Sequence, residues 1–484
     1  MKLLIVADRY YPDVVGGGEI SLYHLVEQLR KTDSIDVSVI AQSEEVEENT
    51  TEHYGKVKVE RIPVKYNITE MRPNYMKFGL TERLHLWSYD EEKVGPLYPL
   101  ARKLLTIKQY IYYFFTKTNS TFIAKISLLI SNFLSRRLSR ENVEYLEADY
   151  PYLENMEPLY DRIRKSVCDA VHLDNTRSIL RYYESNARFA SVGVVRDLKF
   201  FCPRRNVIAH TTEGICTECN YRCLKELPWT IRPFIKRVFD ENRSYRREAL
   251  KNCEKVVCTS IFLKGILKKQ VGVDATVIPN IAGIEDDRSK VVKTEARDKK
   301  VVLFVGMLQY NKGPDIAIDV IDKILKDGVQ ARLLLAGRGP EYFTKNLEKK
   351  ARDLGIEDSV EFLGFLNLDE LKEAYGRARV AITPSRWPEP FGRVPIEAMS
   401  FSVPVVAFRL GGFVDTVLDN ETGFLVDPTD TESFYKRVKE LLVNDRLWKR
   451  MSKKSLESVG ERFSPDDIAN SFLKLYTGLS KEGT

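Results

Sequence analysis

The strongest constraint on this chain is a recurring order in which a short apolar run of strand length is followed by an amphipathic segment of helix length and a further apolar run. KLLIVAD (2–8), DVSVIA (36–41) and VKVERIP (57–63) read as buried strands. Between the first two, GEISLYHLVEQLRK (18–31) puts Ile20, Leu22, Leu25, Val26 and Leu29 on one helical face. Strand, helix, strand at this spacing is a βαβ unit, and parallel strands joined by helices imply an α/β fold. The same order returns at 300–306, 331–337, 359–364, 380–384 and 404–408, with helical patterns at 313–327, 341–354 and 369–377. Two separate α/β cores are expected. A chain of 484 residues suits that number, since a single core rarely grows so large.

The polar stretch GIEDDRSKVVKTEARDK (283–299) follows the apparent strand end VIPNI (277–281) and marks the expected boundary. The expected domains are 1–285, 286–465 and a terminal segment, 466–484, whose helix returns to the first domain. Residues from about 66 to 165 interrupt the first core with aromatic and basic stretches lacking strand alternation, and read as a helical insertion. The apolar run after Met1 is too short for a signal-peptide core. Lys108, Lys117 and Lys125 break the most hydrophobic region below the length that spans a bilayer. A cytoplasmic protein is the expectation, and a net charge of +6 does not by itself mark a nucleic-acid binder.

The densest chemistry lies in TPSRWPEPFGRVPIEAMSFSVPVVAF (383–408), where a strand end leads through a Pro-rich turn holding Glu389 into a helix opening near Phe391 and Gly392. A helix N-terminus offers unpaired N–H groups and a partial positive charge, which suits a phosphate. Glu397 stands inside that helix, and eight residues at helical rise would separate it from Glu389 by about 12 Å, too wide for the paired carboxylates of a retaining glycosidase. Two carboxylates flanking an anion site suit hydroxyl groups on either side of a diphosphate. For a lone Glu pair the plainer reading is a solvated turn residue and a helix-face residue.

E-P-F-G-x-x-x-x-E, with two Glu separated by seven residues, resembles the signature of the family 4 retaining glycosyltransferases of the GT-B fold. YYPDVVGGGE (10–19), VIPNI (277–281), GMLQYNKG (306–313), LLLAGRGP (333–340), FLGFL (362–366) and LDNETGFLV (418–426) match in order and spacing. The insertion is not covered. The resemblance implies two Rossmann-like domains facing a cleft, a nucleotide-sugar donor on the second, and transfer with retention to a lipid-linked or other glycan acceptor. It implies that Glu389 bonds a sugar hydroxyl, Glu397 the ribose and Lys312 the diphosphate, helped by backbone N–H groups at Phe391 and Gly392. A same-fold epimerase or phosphorylase, and a catalytically silent nucleotide-sugar binder, are the alternatives.

Two positions depart from the family pattern. Met307 stands where relatives often have Arg, so the missing diphosphate contact falls to Arg386, Arg338 or Arg393, with Arg393 the best placed. Arg196 stands where many relatives have a sugar-facing His; it is taken here with the catalytic set, and His172 in DAVHLDN is the other candidate. Gly16, Gly17 and Gly18 would let the backbone approach a ligand after the first strand, or form an ordinary turn. Gly337 and Gly339 form a Gly-x-Gly turn at the donor side without a third glycine, which argues against a dinucleotide fingerprint. The backbone near Gly364 and Phe365 is the expected contact for the base. No Asp-x-Asp occurs, and no catalytic metal or other cofactor is expected.

Cys202, Cys216, Cys219 and Cys223 fall within 22 residues. That spacing fits a structural thiolate zinc site, with His210 as a spare ligand, and equally leaves disulfides or free thiols open. From 101 to 140 there are eight Lys or Arg and no Asp or Glu, interleaved with aromatic and aliphatic runs. Such a segment suits a peripheral contact with an anionic membrane face, or a helical pair packed on the core with its basic side in water. A nucleic-acid partner is not expected.

Overall fold

The computed structural model describes residues 1–12, 17–43, 46, 48–63, 156–198, 200, 232–281 and 300–482. The Cys202–Cys223 cluster, Gly16, the boundary stretch 283–299 and nearly all of the predicted insertion, including 101–140, lie outside these residues.

The predicted strands form two sheets. In the first, β1 (Lys2–Ala7), β2 (Asp36–Ser43), β4 (Val57–Pro63), β5 (Ala170–Asp174), β6 (Ser191–Val195), β7 (Lys255–Cys258) and β8 (Thr276–Val277) run parallel, with β3 (Thr50–Tyr54) antiparallel at one edge. The spatial order is β3-β4-β2-β1-β5-β6-β7-β8. The sequence reading missed β3, whose TTEHY carries little apolar signal because only β4 covers it, on one side. The second sheet comprises β9 (Val301–Val305), β10 (Arg332–Ala336), β11 (Val360–Gly364), β12 (Val380–Thr383), β13 (Val405–Phe408) and β14 (Gly423–Val426), all parallel, in the order β11-β10-β9-β12-β13-β14.

Both sheets reverse strand order beside their first strand, between β1 and β5 and between β9 and β12. In doubly wound sheets ligands bind at the carboxyl ends of the strands flanking that reversal. Ala7 pairs with Asp174 across the first switch point, and Phe304 with Ile382 across the second. Asp174 ends β5 at the first switch point, and the loops leaving β9 and β12 carry Lys312 and Glu389 at the second.

Strands buried on both faces account for the near-continuous Val, Leu and Ile runs. Leu3, Ile5, Val37, Val39, Leu22, Leu25 and Val26 share one core with Ile468, Phe472, Tyr476 and Leu479 of the terminal helix Pro465–Glu482. That helix follows the second sheet in the chain and packs on the first, against helix Gly17–Leu29. Among the described residues no helix is long and apolar enough to cross a membrane. Within the predicted insertion, helix Glu157–Arg164 is described, and Leu159 and Ile163 seat it on the first core.

Candidate active site between the two sheets

Four side chains named from the sequence meet at the second switch point in two ion pairs. Lys312, at the end of the short 3-10 turn Tyr310–Lys312 after β9, pairs through Nζ with Glu389 Oε1. Arg393, the first residue of helix Arg393–Ser400, pairs through Nη2 with Glu397 Oε1. Glu397 is only 4% exposed, and its second oxygen accepts from Tyr375 OH at 2.9 Å. Burial, followed by the Glu397 charge, pushes the Tyr375 phenol well above its ordinary value, so it stays a donor.

The turn before that helix is built by close backbone approach. Gly392 caps it at φ 90°, and a Cβ there would meet the Phe413 ring at 2.6 Å. Pro395 is tolerated because first-turn N–H groups have no helical partner. Gly412 N–H donates to the Glu389 carbonyl at 2.6 Å, and a Cβ on Gly411 would lie 2.4 Å from that oxygen. Gly411 and Gly412 were not singled out in the sequence, although two glycines directly after β13 were a usable signal. Ser260 completes the support by donating to the Pro390 carbonyl while capping its own helix at Leu263 N. Phe391 is buried beneath the turn, its backbone packed against Gly412.

Gly337 and Gly339 let two loops approach closely. Gly306 N–H donates to the Ala336 carbonyl and Leu308 N–H to the Arg338 carbonyl, both at 2.9 Å, stitching two loops together. A Cβ on Gly337 would sit 1.8 Å from the Gly306 oxygen, and one on Gly339 1.9 Å from the Leu308 oxygen. These glycines are spent on loop-to-loop contact. Phe365 is 65% exposed at the end of β11, with the Arg338 guanidinium 5.1 Å over its ring. Met307 is likewise exposed.

Two of the candidates for the missing Arg contact have partners of their own. Arg386 forks onto Asp315 at 2.8 and 2.6 Å, donates to the Tyr310 carbonyl and stacks 4.1 Å over the Tyr310 ring. It holds the Lys312 turn in position. Arg338 lies over the Phe365 ring, and Arg393 is the candidate paired with a site carboxylate, Glu397.

On the facing domain, His172 is fully buried, so it does not face a sugar. Its Nδ1 meets Tyr476 OH at 2.6 Å and its Nε2 meets Asp174 Oδ1 at 3.3 Å. Burial lowers its pKa despite the nearby Asp174, which fits a neutral ring. Arg196 is also buried, with Nε donating to Asp174 Oδ1 at 2.8 Å. Burial disfavours the Asp174 carboxylate, but the Arg196 charge and the hydrogen bonds from His172 and Arg196 outweigh it and keep the group below its ordinary value. Gly17, at the start of its helix, accepts from Arg393 Nη1 at 2.9 Å, so the two domains touch at the site itself.

Asn311 Oδ1, Thr383 Oγ1 and Arg393 Nε are buried without a hydrogen-bond partner. Buried polar atoms are rarely left so, and these three lie on the elements that build the site. Among the described residues no three His, Cys, Asp or Glu side chains gather as a metal group.

The glycosyl transferases group 1 family matches residues 285–457. This segment is a glycosyl transferases group 1 domain. The chain is 34% identical to the D-inositol 3-phosphate glycosyltransferase of Corynebacterium efficiens over 182 residues, 37% of this chain and 42% of that protein. It spans about half the length of the curated relatives it matches. Sucrose-phosphate synthase from Thermosynechococcus elongatus superposes with a TM-score of 0.62 at 18% identity, covering 99% of this chain and 98% of that one. HepE from Anabaena in complex with UDP-glucose superposes with a TM-score of 0.59 at 15% identity, covering 99% of this chain and all (100%) of the other. The fold is GT-B, and the group 1 domain supplies Lys312, Glu389, Arg393 and Glu397.

Proposed function

We propose that this protein transfers a hexosyl group from a nucleotide-sugar donor to a lipid-linked or other glycan acceptor, with retention of anomeric configuration. The observation that carries the reading is the convergence of Lys312, Glu389, Arg393 and Glu397 where β9 and β12 end, beside a helix N-terminus. Two cations and that N-terminus suit a diphosphate, whose departure as an anion is the charge a transferase must stabilise. Lys312 exchanges Glu389 for the diphosphate, and Glu389 is released to a sugar hydroxyl. Glu397 keeps spare acceptor capacity beyond Arg393 and Tyr375 for the ribose. The D-inositol 3-phosphate specificity named for one relative and the UDP-glucose bound by one structural neighbour support a donor and an acceptor of these classes.

The test is turnover of UDP-, GDP- and ADP-hexoses by the purified protein, with and without acceptors, and NMR assignment of the product anomer. Binding without turnover would favour the catalytically silent binder, and interconversion of the donor sugar an epimerase. Two accessory proposals rest on sequence alone. The basic stretch 101–140 docks on an anionic membrane face, tested by liposome co-sedimentation, and the Cys202–Cys223 cluster holds one zinc, tested by metal analysis.

A further inference from the structure

Ser260 lies just beyond β7, caps helix Ile261–Ile266 of the first domain and is 1% exposed. Its Oγ accepts from Leu263 N–H at 3.1 Å and donates to the Pro390 carbonyl, 130 positions away in the second domain. A second bond crosses the other way, with Asp415 Oδ2 of the second domain accepting from Phe262 N–H at 3.2 Å. Phe262 and Trp387 pack against the same first-domain core, which Trp387 reaches from the turn that holds Glu389.

These contacts fall on the two loops that shape the Glu389 turn. Pro388 and Pro390 fix φ on either side of Glu389, and Glu389, as a residue before proline, is itself restricted to extended backbone. The turn therefore moves as a stiff unit, and whatever holds the Pro390 carbonyl holds Glu389 with it. Behind the turn, Gly412 N–H donates to the Glu389 carbonyl at 2.6 Å and Asp415 N–H to the Gly412 carbonyl at 3.0 Å. Ser260 and Phe262 thus grip both the turn and the strip of chain that backs it. Lys312 and Glu397 are held from within the second domain, the first by Arg386 on the Tyr310 carbonyl and the second by Tyr375 OH.

We propose that Ser260 is a positioning residue for Glu389, through which the first domain sets that carboxylate for transfer while nucleotide binding stays with the second domain. Asp415 steadies it by holding the start of helix Ile261–Ile266. A hydroxyl can cap its helix and grip the turn at once, because it donates one hydrogen and accepts at its lone pairs. The role rests on the transferase reading of the site, in which Glu389 meets a sugar hydroxyl and Lys312 the diphosphate. Misplacing a reacting group by about 1 Å can cost about a hundredfold in rate, so the loss of this grip is read in kcat.

The experiment compares wild type, Ser260→Ala, Ser260→Thr, Ser260→Asp and Asp415→Ala as full chains. It measures steady-state transfer from the nucleotide-hexose that wild type turns over, UDP and GDP affinity by calorimetry, and hydrogen exchange of the Gly412 amide. Ser260→Thr keeps both donor and cap. Ser260→Asp keeps the cap and loses the donor, since an ionised carboxylate only accepts. In Ser260→Ala, Ser260→Asp and Asp415→Ala, kcat should fall at least about tenfold and Gly412 exchange should quicken, with donor KM and nucleoside diphosphate affinity within about threefold of wild type. Ser260→Thr should stay within about threefold of wild type in kcat. Asp415 is only partly buried, so its variant tests the grip independently of any folding loss at Ser260. Recovery of kcat in Ser260→Asp would reduce Ser260 to a helix cap and overturn the proposal. Wild-type kcat in Ser260→Ala or Asp415→Ala, or a loss of nucleotide affinity matching the loss of kcat, would overturn it too. A wild type that turns over no nucleotide sugar would instead remove the transferase reading, and Gly412 exchange in the same variants would still report whether Ser260 holds the turn.

Discussion

Arg393 and Gly17 are hydrogen bonded at 2.9 Å across 376 positions of sequence, guanidinium to carbonyl, joining the helix after E-P-F-G to the glycine turn of the other domain. The same side chain neutralises Glu397. Arg393→Ala should therefore weaken nucleoside diphosphate binding by about 1.5–3 kcal/mol, the range for a hydrogen bond to a charged group. It should also loosen the contact between domains, read as faster hydrogen exchange at the start of helix Gly17–Leu29.

The two carboxylates should separate by assay. Glu389→Gln should abolish transfer and leave nucleoside diphosphate affinity nearly intact. Glu397→Gln should weaken nucleotide binding and lower the melting temperature, because Arg393 and Tyr375 both lose a buried anionic partner. Wild-type activity in both variants would contradict the site assignment.

Lys312→Ala should reduce nucleoside diphosphate affinity by about 1.5–3 kcal/mol, measured by calorimetry. Met307 is exposed nearby in sequence, and Met307→Arg should tighten binding. An unchanged affinity in the Lys312 variant would remove that residue from the diphosphate site.

Gly337→Ala forces a methyl group to within 1.8 Å of the Gly306 oxygen, at φ 148°. The two loops must separate, so stability should fall by at least about 1–3 kcal/mol, as for other strained or overpacked sites. A control substitution at Gly328, where nothing lies within 4 Å of the added carbon, carries only the cost of φ 76°. Denaturant midpoints compare the two.

Stability should depend on pH through His172. Its pKa is lowered in the folded protein from 6.5, first by burial, with Asp174, Arg196 and Tyr476 around it. Below 6.5 the unfolded chain binds a proton that the folded ring refuses, so stability is full above that value and falls as pH drops toward the folded pKa. The slope is at most about 1.4 kcal/mol per pH unit. Asp174, lowered from 3.8, contributes in a separate window below that value. His172→Gln should flatten the upper window and leave the lower one, as read from urea unfolding between about pH 2 and 8.

The sequence by itself determined the two doubly wound sheets, because strands covered on both faces must be apolar throughout and their helices must carry one apolar stripe. It also determined the local order of Glu389, Phe391, Gly392 and Glu397, since a turn and the helix it opens are short-range structures. The pairing of Lys312 with Glu389 joins residues 77 apart in sequence, and Arg393 meeting Gly17 joins two domains. Neither follows from spacing. Tertiary structure alone decided that Arg386 serves Asp315, that His172 is enclosed by the terminal helix while Arg196 is held by Asp174 and Asn280, and that Gly337 and Gly339 fit loop against loop. Each outcome depends on which neighbour fills the space around a side chain, and that neighbour comes from a distant part of the chain.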